Sequence, residues 1–378
     1  MLSNFMNHHQ YGLSEALYRL TDGNYTFVAC EPVPLNRREM GYHEYAANQF
    51  HMRLTAENRD QIEKMILCCD VLICGSAPDE LIAPRIRQHK LTFRASERLF
   101  KTPFTVTNLP HRIGSMLKHF IPYQNEMQYS LCASAYTPVD MSRFGCYRNR
   151  MYRWGYFPKA VTYDCDDLIV KKDPEKLLWC GRLVDWKRPD EAVRLMMRLK
   201  KDKINASLDI IGIGETEQRL RHMIRENGLE DRINLLGAMS PEQVREHMCR
   251  AGIYLMTSNR REGWGAVVNE AMNSGCAVVG SHIAGSVPYL IRHNVNGLVY
   301  RSGDEDMLYN CVKRLLADRD EQLRLGKKAY RTITESWNPD TAAERLIELS
   351  RHILAGERSP ELYGEGPCSK APIMKEEY

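Results

Sequence analysis

The feature that most limits how this chain can fold lies in its second half, where short apolar runs and amphipathic helix patterns alternate. Leu177-Leu178-Trp179-Cys180 is an apolar run ending at Gly181. After the loop 181–188, Pro189 suits the first turn of a helix, where its missing N–H costs nothing. Apolar residues at 192, 195, 196 and 199 carry a helical period to about Lys201. Next come a strand at Ser207–Ile211, the turn Gly212-Ile213-Gly214, a helix stopping near Gly228 and a strand at Ile233–Leu236. Ser240-Pro241-Glu242-Gln243 reads as an N-cap, an N1 proline and a capping-box glutamine opening a helix to about Arg250. A strand at Gly252–Met256, a polar loop, a helix from about Gly265 to Ser274 and a strand at Cys276–Gly280 complete the series. Strands this apolar are covered on both faces, so the alternation predicts a parallel sheet between helices.

The first half is less regular. Strands are expected at Tyr25–Ala29, Val71–Cys74, Leu91–Ala95 and Leu131–Ser134, and helices over 13–20, 57–68 and 112–120. At roughly 150 residues per domain, 378 residues make two or three domains. The fold class predicted is α/β, with two Rossmann-like domains over 1–165 and 166–337. The acidic stretch Phe157–Asp173 reads as an interdomain linker. A helix lies within 338–355, and 356–378 has little periodicity and reads as a flexible tail. Ligands in such sheets bind beyond the carboxyl ends of strands, so chemistry is expected in a cleft between the domains.

Composition removes several classes. With 43% hydrophobic and 26% charged residues the chain is not a disordered one. No run approaches the roughly 18 apolar residues of a membrane span, and the N-terminus lacks the basic and apolar regions of a secretory leader. The twelve cysteines form no CxxC pair and mostly lie in apolar runs, which predicts buried thiols in a reducing cytosol. From Arg85 to Lys159 there are 13 Lys and Arg against 3 Asp and Glu, in a chain whose net charge is only +4. Such one-sidedness predicts an anionic partner: a membrane surface, a phosphorylated lipid or a nucleic acid. No nucleic-acid-binding module is visible, so nucleic acid is not expected as the partner.

Three loops carry candidate chemistry. In 181–187, Arg182 and Lys187 can both point past a strand end toward a helix start, as a diphosphate site or as a solvated connection. Gly212-Ile213-Gly214-Glu215 lacks the third glycine of a dinucleotide fingerprint, which disfavours an NAD-dependent oxidoreductase. In Ser258–Gly275, Glu262 and Glu270 are too far apart to share one helix turn. With Glu262 in the loop and Glu270 in the helix, they would face the two ends of one ligand, and Gly263 and Gly265 would let backbone approach it closely. Asp164-Cys165-Asp166 is a D-x-D that follows no apolar strand, and no metal site is expected there. His8 and His9 lack the spacing of a helical metal site; His9 is a phosphate or acceptor contact, or part of a helix-entry turn. Arg112, Lys118 and His119 flank Ile113, Met116, Leu117 and Phe120 in an amphipathic segment that is either a membrane face or a half-buried core helix.

The order GRLVDWK, IIGIGE, REGWGAVVNEAMNSGCAVV, GSVPYLI and NGLVY resembles the retaining, GT-B-fold glycosyltransferases called family 4, over roughly Leu177–Trp337. NFMNHHQYGLSEALYRL and the segment LCASAYTPVDMSRFGC with YRWGYFP resemble a bacterial subset linked to cell-surface polysaccharide assembly. The resemblance implies two Rossmann-like domains facing each other across a cleft: an acceptor-binding first domain, a nucleotide-sugar-binding second, and a final helix crossing back to the first. It implies that Arg182 and Lys187 hold the donor diphosphate, Glu262 binds donor-sugar hydroxyls near the reacting carbon, and Glu270 binds the ribose. Gly181, Gly212, Gly214, Gly263, Trp264 and Gly265 would form the donor-binding loops, with no metal and no further cofactor. The implied reaction moves a sugar, with retention, from a nucleotide donor such as a UDP-sugar to a saccharide or lipid-linked saccharide. The implied location is cytoplasmic, at the inner face of an anionic membrane. Alternatives are a nucleotide-sugar epimerase of the same fold and a non-catalytic nucleotide-sugar-binding scaffold.

The chain departs from its relatives twice. Where many carry a histidine after the strand 91–95, it has Ser96-Glu97-Arg98, so Glu97 or Arg98 becomes the candidate for an acceptor or sugar contact, with a helix-capping acid as the alternative. In GSVPYL, Ser286 and Tyr289 replace a glycine and a glutamate.

Overall fold

A computed structural model describes residues 1–35, 45–102, 105 and 107–376. The chain divides into two compact units, Met1–Lys159 with Asn338–Glu377, and Ala160–Trp337. The first unit holds a seven-stranded parallel sheet: β1 (Leu2–Ser3), β2 (Phe27–Ala29), β3 (His51–Arg53), β4 (Leu72–Cys74), β5 (Thr92–Ser96), β6 (Gln128–Cys132) and β7 (Met151–Arg153), in spatial order β3-β2-β1-β4-β5-β6-β7. The second holds six parallel strands: β8 (Asp173–Cys180), β9 (Ser207–Ile211), β10 (Ile233–Gly237), β11 (Ala251–Met256), β12 (Ala277–Ser281) and β13 (Leu298–Tyr300), in order β10-β9-β8-β11-β12-β13. Each winds outward from its first strand and then jumps back to start the other half. The winding therefore reverses between β1 and β4, and again between β8 and β11. This is the doubly wound α/β topology, in which ligands sit at the reversal point beyond the carboxyl ends of the strands.

The predicted pattern explains the second unit's core. The helix Pro189–Lys201 buries Ala192, Val193, Leu195, Met196 and Leu199. They pack with Leu177, Trp179, Leu208, Ile210, Ile253 and Leu255 from three strands. Ser240 and Gln243 form the capping box that opens the helix Pro241–Arg250. The helix Pro339–Leu354, capped by Asn338, belongs to the first unit; there Gly12 lies against Pro339, with space for a Cβ only 3.1 Å from its Cγ.

Several expectations need correction. The acidic stretch before β8 is no open linker. Asp164 caps the helix Cys165–Val170 by accepting the N–H groups of Asp166 and Asp167, and Asp166 pairs with Lys327 at 2.5 Å. That D-x-D is a helix start. The unit boundary falls after Lys159, not after 165. The supposed flexible tail is packed. Arg153 N–H donates to Ser369 O and Ala371 N–H to Met151 O, at 2.7 and 3.0 Å, so the tail pairs antiparallel with edge strand β7. Cys368 there is 1% exposed. Amide groups at a sheet edge gain partners this way, and hydropathy alone does not announce it.

The basic excess of the first unit is also spent differently from what was expected. Arg85 is fully buried and donates to the carbonyls of Ile66, Cys69, Asp70 and Leu91. Arg94 donates to Asp79 and His119 O. Arg112, read as a flank of the amphipathic segment, is buried, donates to Thr102 and lies 4.8 Å over the Phe100 ring. All twelve cysteines are free; six are buried, five partly exposed and Cys68 exposed, so they are not uniformly interior. Among the described residues no helix is long and apolar enough to cross a membrane.

Candidate active site

The loops after β8 and β11 start side by side, because these strands pair at the winding reversal. Buried hydrogen bonds hold the two loops together. Trp179 Nε1 donates to Thr257 Oγ1 (2.9 Å), and Thr257 Oγ1 donates to Lys187 O (2.7 Å). Asn259 N–H reaches Trp186 O at 2.9 Å. Lys187 Nζ is thereby set 2.6 Å from Glu262 Oε2, which also accepts Ser258 Oγ–H at 2.9 Å. The two charged side chains are only 12% and 10% exposed. A pair this dry is sensitive to the loss of either partner, because the other charge is left without compensation. Arg182 and Lys187 both lie against Trp186, 5.6 and 4.9 Å from its ring centre, and this aromatic face groups the two cations.

Glycines set the backbone that carries these groups. Gly212 has φ +133°, and a Cβ there would stand 1.9 Å from Gly181 O; at Gly214 it would stand 2.4 Å from Leu183 O. The turn after β9 thus lies directly on the 181–183 backbone, fixed by Leu183 N–H to Ile213 O and Thr216 N–H to Leu183 O. Gly212 and Gly214, expected to bind the donor, position the loop bearing Arg182 and Lys187. Gly265 has φ +89°, and its Cβ position would be 2.6 Å from Met256 Cε and 3.3 Å from Glu262 Cγ. A side chain there would push on Glu262 itself. With that φ, Gly265 cannot begin the helix, which runs only over Val267–Asn273.

Glu270 lies on that helix. Burial pushes its carboxyl up to about 7, with Arg245 pulling the other way. The Cys180 thiol at the end of β8 is pushed up to about 12, by burial first and then by Glu270, while Lys187 opposes. The Tyr254 phenol donates to Cys180 O at 3.2 Å; burial raises it, and Cys180, Glu270 and Glu262 raise it further. Glu262, Glu270 and Lys187 therefore act electrostatically on one small region at the carboxyl ends of β8 and β11.

The Trp264 side chain is turned into the second unit. It is fully buried, its Nε1–H donates to Asn269 Oδ1 at 2.9 Å, and the residue's carbonyl accepts Ser286 N–H. Its ring packs 5.8 Å from Trp337 and 6.2 Å from Tyr289, so the indole anchors the loop instead of facing a ligand. Gly263 is buried beside it. Tyr289, one of the two departures, stacks on Trp337 at 6.0 Å.

The first unit holds the remaining candidates. His9 sits in the first turn of the helix His8–Leu20, its N–H on the Asn7 cap and its ring parallel to that of Tyr156 at 6.0 Å. Glu97 pairs with Lys101 and accepts Tyr156 O–H, both at 2.8 Å. Arg98 is fully buried and pairs with Glu376 at 2.7 Å. No helix starts at Glu97, which excludes the capping role.

Sequence reasoning missed Thr257, Ser258, Asn269 and Arg245. The first two carried a usable signal, since polar residues directly after an apolar strand at the reversal point are where a doubly wound sheet presents side chains. Asn269 and Arg245 carried none, because their partners come from separate elements.

The second unit is a doubly wound sheet with a Lys–Glu pair at its reversal point, and comparison with known proteins can be set beside it. Residues 166–332 match the family described as glycosyl transferases group 1. The chain is 29% identical over 206 residues to an amylovoran biosynthesis glycosyltransferase, AmsK, of Erwinia amylovora, covering 53% of this chain and 50% of that one. It is 27% identical over 175 residues to a GDP-mannose-dependent phosphatidylinositol monomannoside mannosyltransferase of Mycolicibacterium smegmatis, covering 45% and 46%. The chain thus spans about half the length of these relatives. Among solved structures, Anabaena Alr3699/HepE in complex with UDP and glucose superposes with a TM-score of 0.65 at 13% identity, covering 92% of this chain and 97% of that one. TarM of S. aureus gives 0.59 at 18%, covering 77% and 57%. These likenesses show a shared fold, that of the GT-B glycosyltransferases.

Proposed function

We propose that the chain is a retaining glycosyltransferase moving a sugar from a UDP-sugar to a saccharide or lipid-linked saccharide in cell-surface polysaccharide synthesis. The observation that carries this reading is the Lys187–Glu262–Ser258 cluster at the β8/β11 reversal, with Arg182 beside it and Glu270 one element away. As the bond from the sugar's anomeric carbon to the diphosphate breaks, negative charge gathers on the leaving phosphate. Lys187 and Arg182 supply preorganised positive charge there, which supports a reaction without a divalent metal. Lys187 has three N–H donors, so it can hold Glu262 with one and a phosphate oxygen with another. Glu262 accepts hydroxyls of the sugar, and Glu270 accepts the ribose diol. The acceptor oxygen attacks the face from which the diphosphate departs, its proton passing to the leaving phosphate oxygen, so no protein nucleophile is needed.

A lipid-linked acceptor at an anionic membrane surface is part of this reading. In the helix Leu109–His119, Leu109, Ile113 and Leu117 are 41%, 41% and 54% exposed at i, i+4 and i+8, beside exposed His111 and Lys118. With Arg112 turned inward, the apolar stripe and Lys118 carry the reading. Flotation with phosphatidylglycerol vesicles, lost in Leu117→Ser and absent with phosphatidylcholine vesicles, is expected; no flotation removes this part alone.

The central test is a thermal-shift panel of UDP, GDP, ADP and CMP, each with EDTA and with magnesium. A nucleotide at 100 times its Kd stabilises by about 2.7 kcal/mol. The expected result is a UDP shift that survives EDTA and is lost in Glu270→Ala. A GDP shift changes the donor; no shift favours a scaffold role. An epimerised nucleotide-sugar formed without acceptor would make the protein an epimerase.

A further inference from the structure

Arg98 is a candidate residue whose chemistry the proposed transfer leaves unused. It follows β5, on the carboxyl edge of the first unit's sheet, the edge where doubly wound sheets present ligand-binding groups. Its guanidinium has no solvent-exposed surface and lies 5.1 Å over the Tyr136 ring. Two carboxylates approach it, both at Nη2: Glu376 Oε1 at 2.7 Å and Asp140 Oδ1 at 3.8 Å. Asp140 Oδ2 accepts the N–H groups of Leu99 and Phe100, while its buried Oδ1, at 3.8 Å, stops short of a hydrogen bond to the guanidinium. Among the described residues, Nε and Nη1 of Arg98 are buried with no hydrogen-bond partner, and so is the neighbouring Ser96 Oγ. A guanidinium offers five N–H donors in a planar fork shaped for an oxyanion, and leaving them unused in a dry site is costly. A purely structural arginine is saturated, as Arg85 is by four carbonyls and Thr92.

Glu376 arrives on a short arm. The tail is fastened as far as Ala371 by its pairing with β7. Beyond it, Pro372, Ile373 and Lys375 are exposed, Ile373 by 60%, so little apolar burial holds the arm down. A carboxylate that touches one edge of a fork with two further N–H groups to give is a weak stand-in for a better-matched anion.

We propose that Arg98, with Ser96, forms an oxyanion-binding site for a phosphate or carboxylate group, and that the chain's own Glu376 occupies it as an intramolecular competitor. A free anion that engages Nε and Nη1 displaces the arm from Ala371 onward while the β7 pairing stays. Nothing here depends on sugar transfer, and the test uses neither donor nor acceptor.

The test titrates inorganic phosphate and acetate, in separate arms, into the full chain, into Glu376→Gln and into the chain ending at Ala371, by calorimetry. In parallel, the Arg98 Nε–Hε NMR signal is followed, assigned by its absence in Arg98→Lys. The expected result is at least tenfold tighter binding of one of the two anions by Glu376→Gln and by the shortened chain than by the full chain, with the Arg98 signal shifting. Adding Arg98→Lys to the shortened chain abolishes the gain. Equal affinity in the full chain and in a folded Glu376→Gln, or binding that leaves the Arg98 signal unmoved, overturns the proposal. Glu376→Gln alters one partly exposed residue in the arm, so the test survives if Arg98→Lys fails to fold.

Discussion

Both units wind in the same order, yet the loops at their reversal points differ in kind. At β8/β11 the loops bring a Lys–Glu pair to 2.6 Å, with a second cation beside an aromatic ring. At β1/β4 the corresponding positions hold Ser3, Asn4 and Gly75, neutral groups packed so closely that a Cβ on Gly75 would stand 2.8 Å from Ser3 Oγ. The first unit is rich in arginine, but Arg85, Arg94 and Arg112 are turned into its frame against carbonyls, an aspartate and a threonine. One topology therefore accommodates a paired charge cluster at its reversal point and charge used as mortar. What separates them is the partner each charge has, and no property of the sheet reveals it.

If that contrast is right, removing charge should damage binding in one unit and stability in the other. The largest effect is expected for Lys187→Ala, which leaves Glu262 buried without its counter-ion and removes the diphosphate contact proposed for Lys187. The fall in kcat/KM for the nucleotide-sugar should be about 100-fold or more, with a loss of about 3 kcal/mol in urea unfolding. Asp140→Ala in the first unit should cost about 2 kcal/mol through the stranded N–H groups of Leu99 and Phe100. It should leave UDP affinity, measured by calorimetry, within about threefold, since the lost energy is at most a few tenths of a kcal/mol at the nucleotide. Equal damage to UDP binding by both variants would break the contrast.

A pH series sharpens it. Glu270 titrates near 7 in the folded chain because of its burial, and a ribose diol prefers the ionised acceptor. UDP affinity should rise between pH 6 and 8 with proton release on binding, and Glu270→Gln should flatten that rise. The sign for stability is the opposite. The folded carboxyl holds its proton more tightly than the unfolded one, so this group's contribution is fullest below the unfolded value and is lost as pH rises through about 7. Denaturation midpoints of wild type and Glu270→Gln against pH would display both halves. The smallest effect is expected for Trp264→Phe, which removes the hydrogen bond to Asn269 Oδ1 and costs about 1 kcal/mol. Turnover should fall less than tenfold; a larger fall with unchanged stability would return the indole to the ligand.

Much of the second unit could be read before its structure was known. Near-continuous apolar strands, Pro189 and Pro241 at helix starts and the Ser240–Gln243 box are local signals, and each element formed where they stood. The first unit resisted because β1, β3 and β7 are two or three residues long. Segments that short have no period to detect, and their pairing is decided by neighbours distant in sequence. The same limit applied to the site. Glu262, Lys187 and Arg182 stood out because each sits in a loop after an apolar strand. That Lys187 and Glu262 touch, that Trp264 faces inward and that Arg98 meets a residue 278 positions away could not be read.

The sequence by itself determined the α/β class, the alternating strands and helices of the second unit, the helix boundaries marked by proline and caps, and the loops in which charged residues gather. These are consequences of periodicity and backbone chemistry within a few residues. Only the tertiary structure decided which charges pair, which glycines guard a backbone approach and where the C-terminal tail lies. Those outcomes depend on desolvation and on distances between segments far apart in the chain, quantities that exist only once the chain has folded.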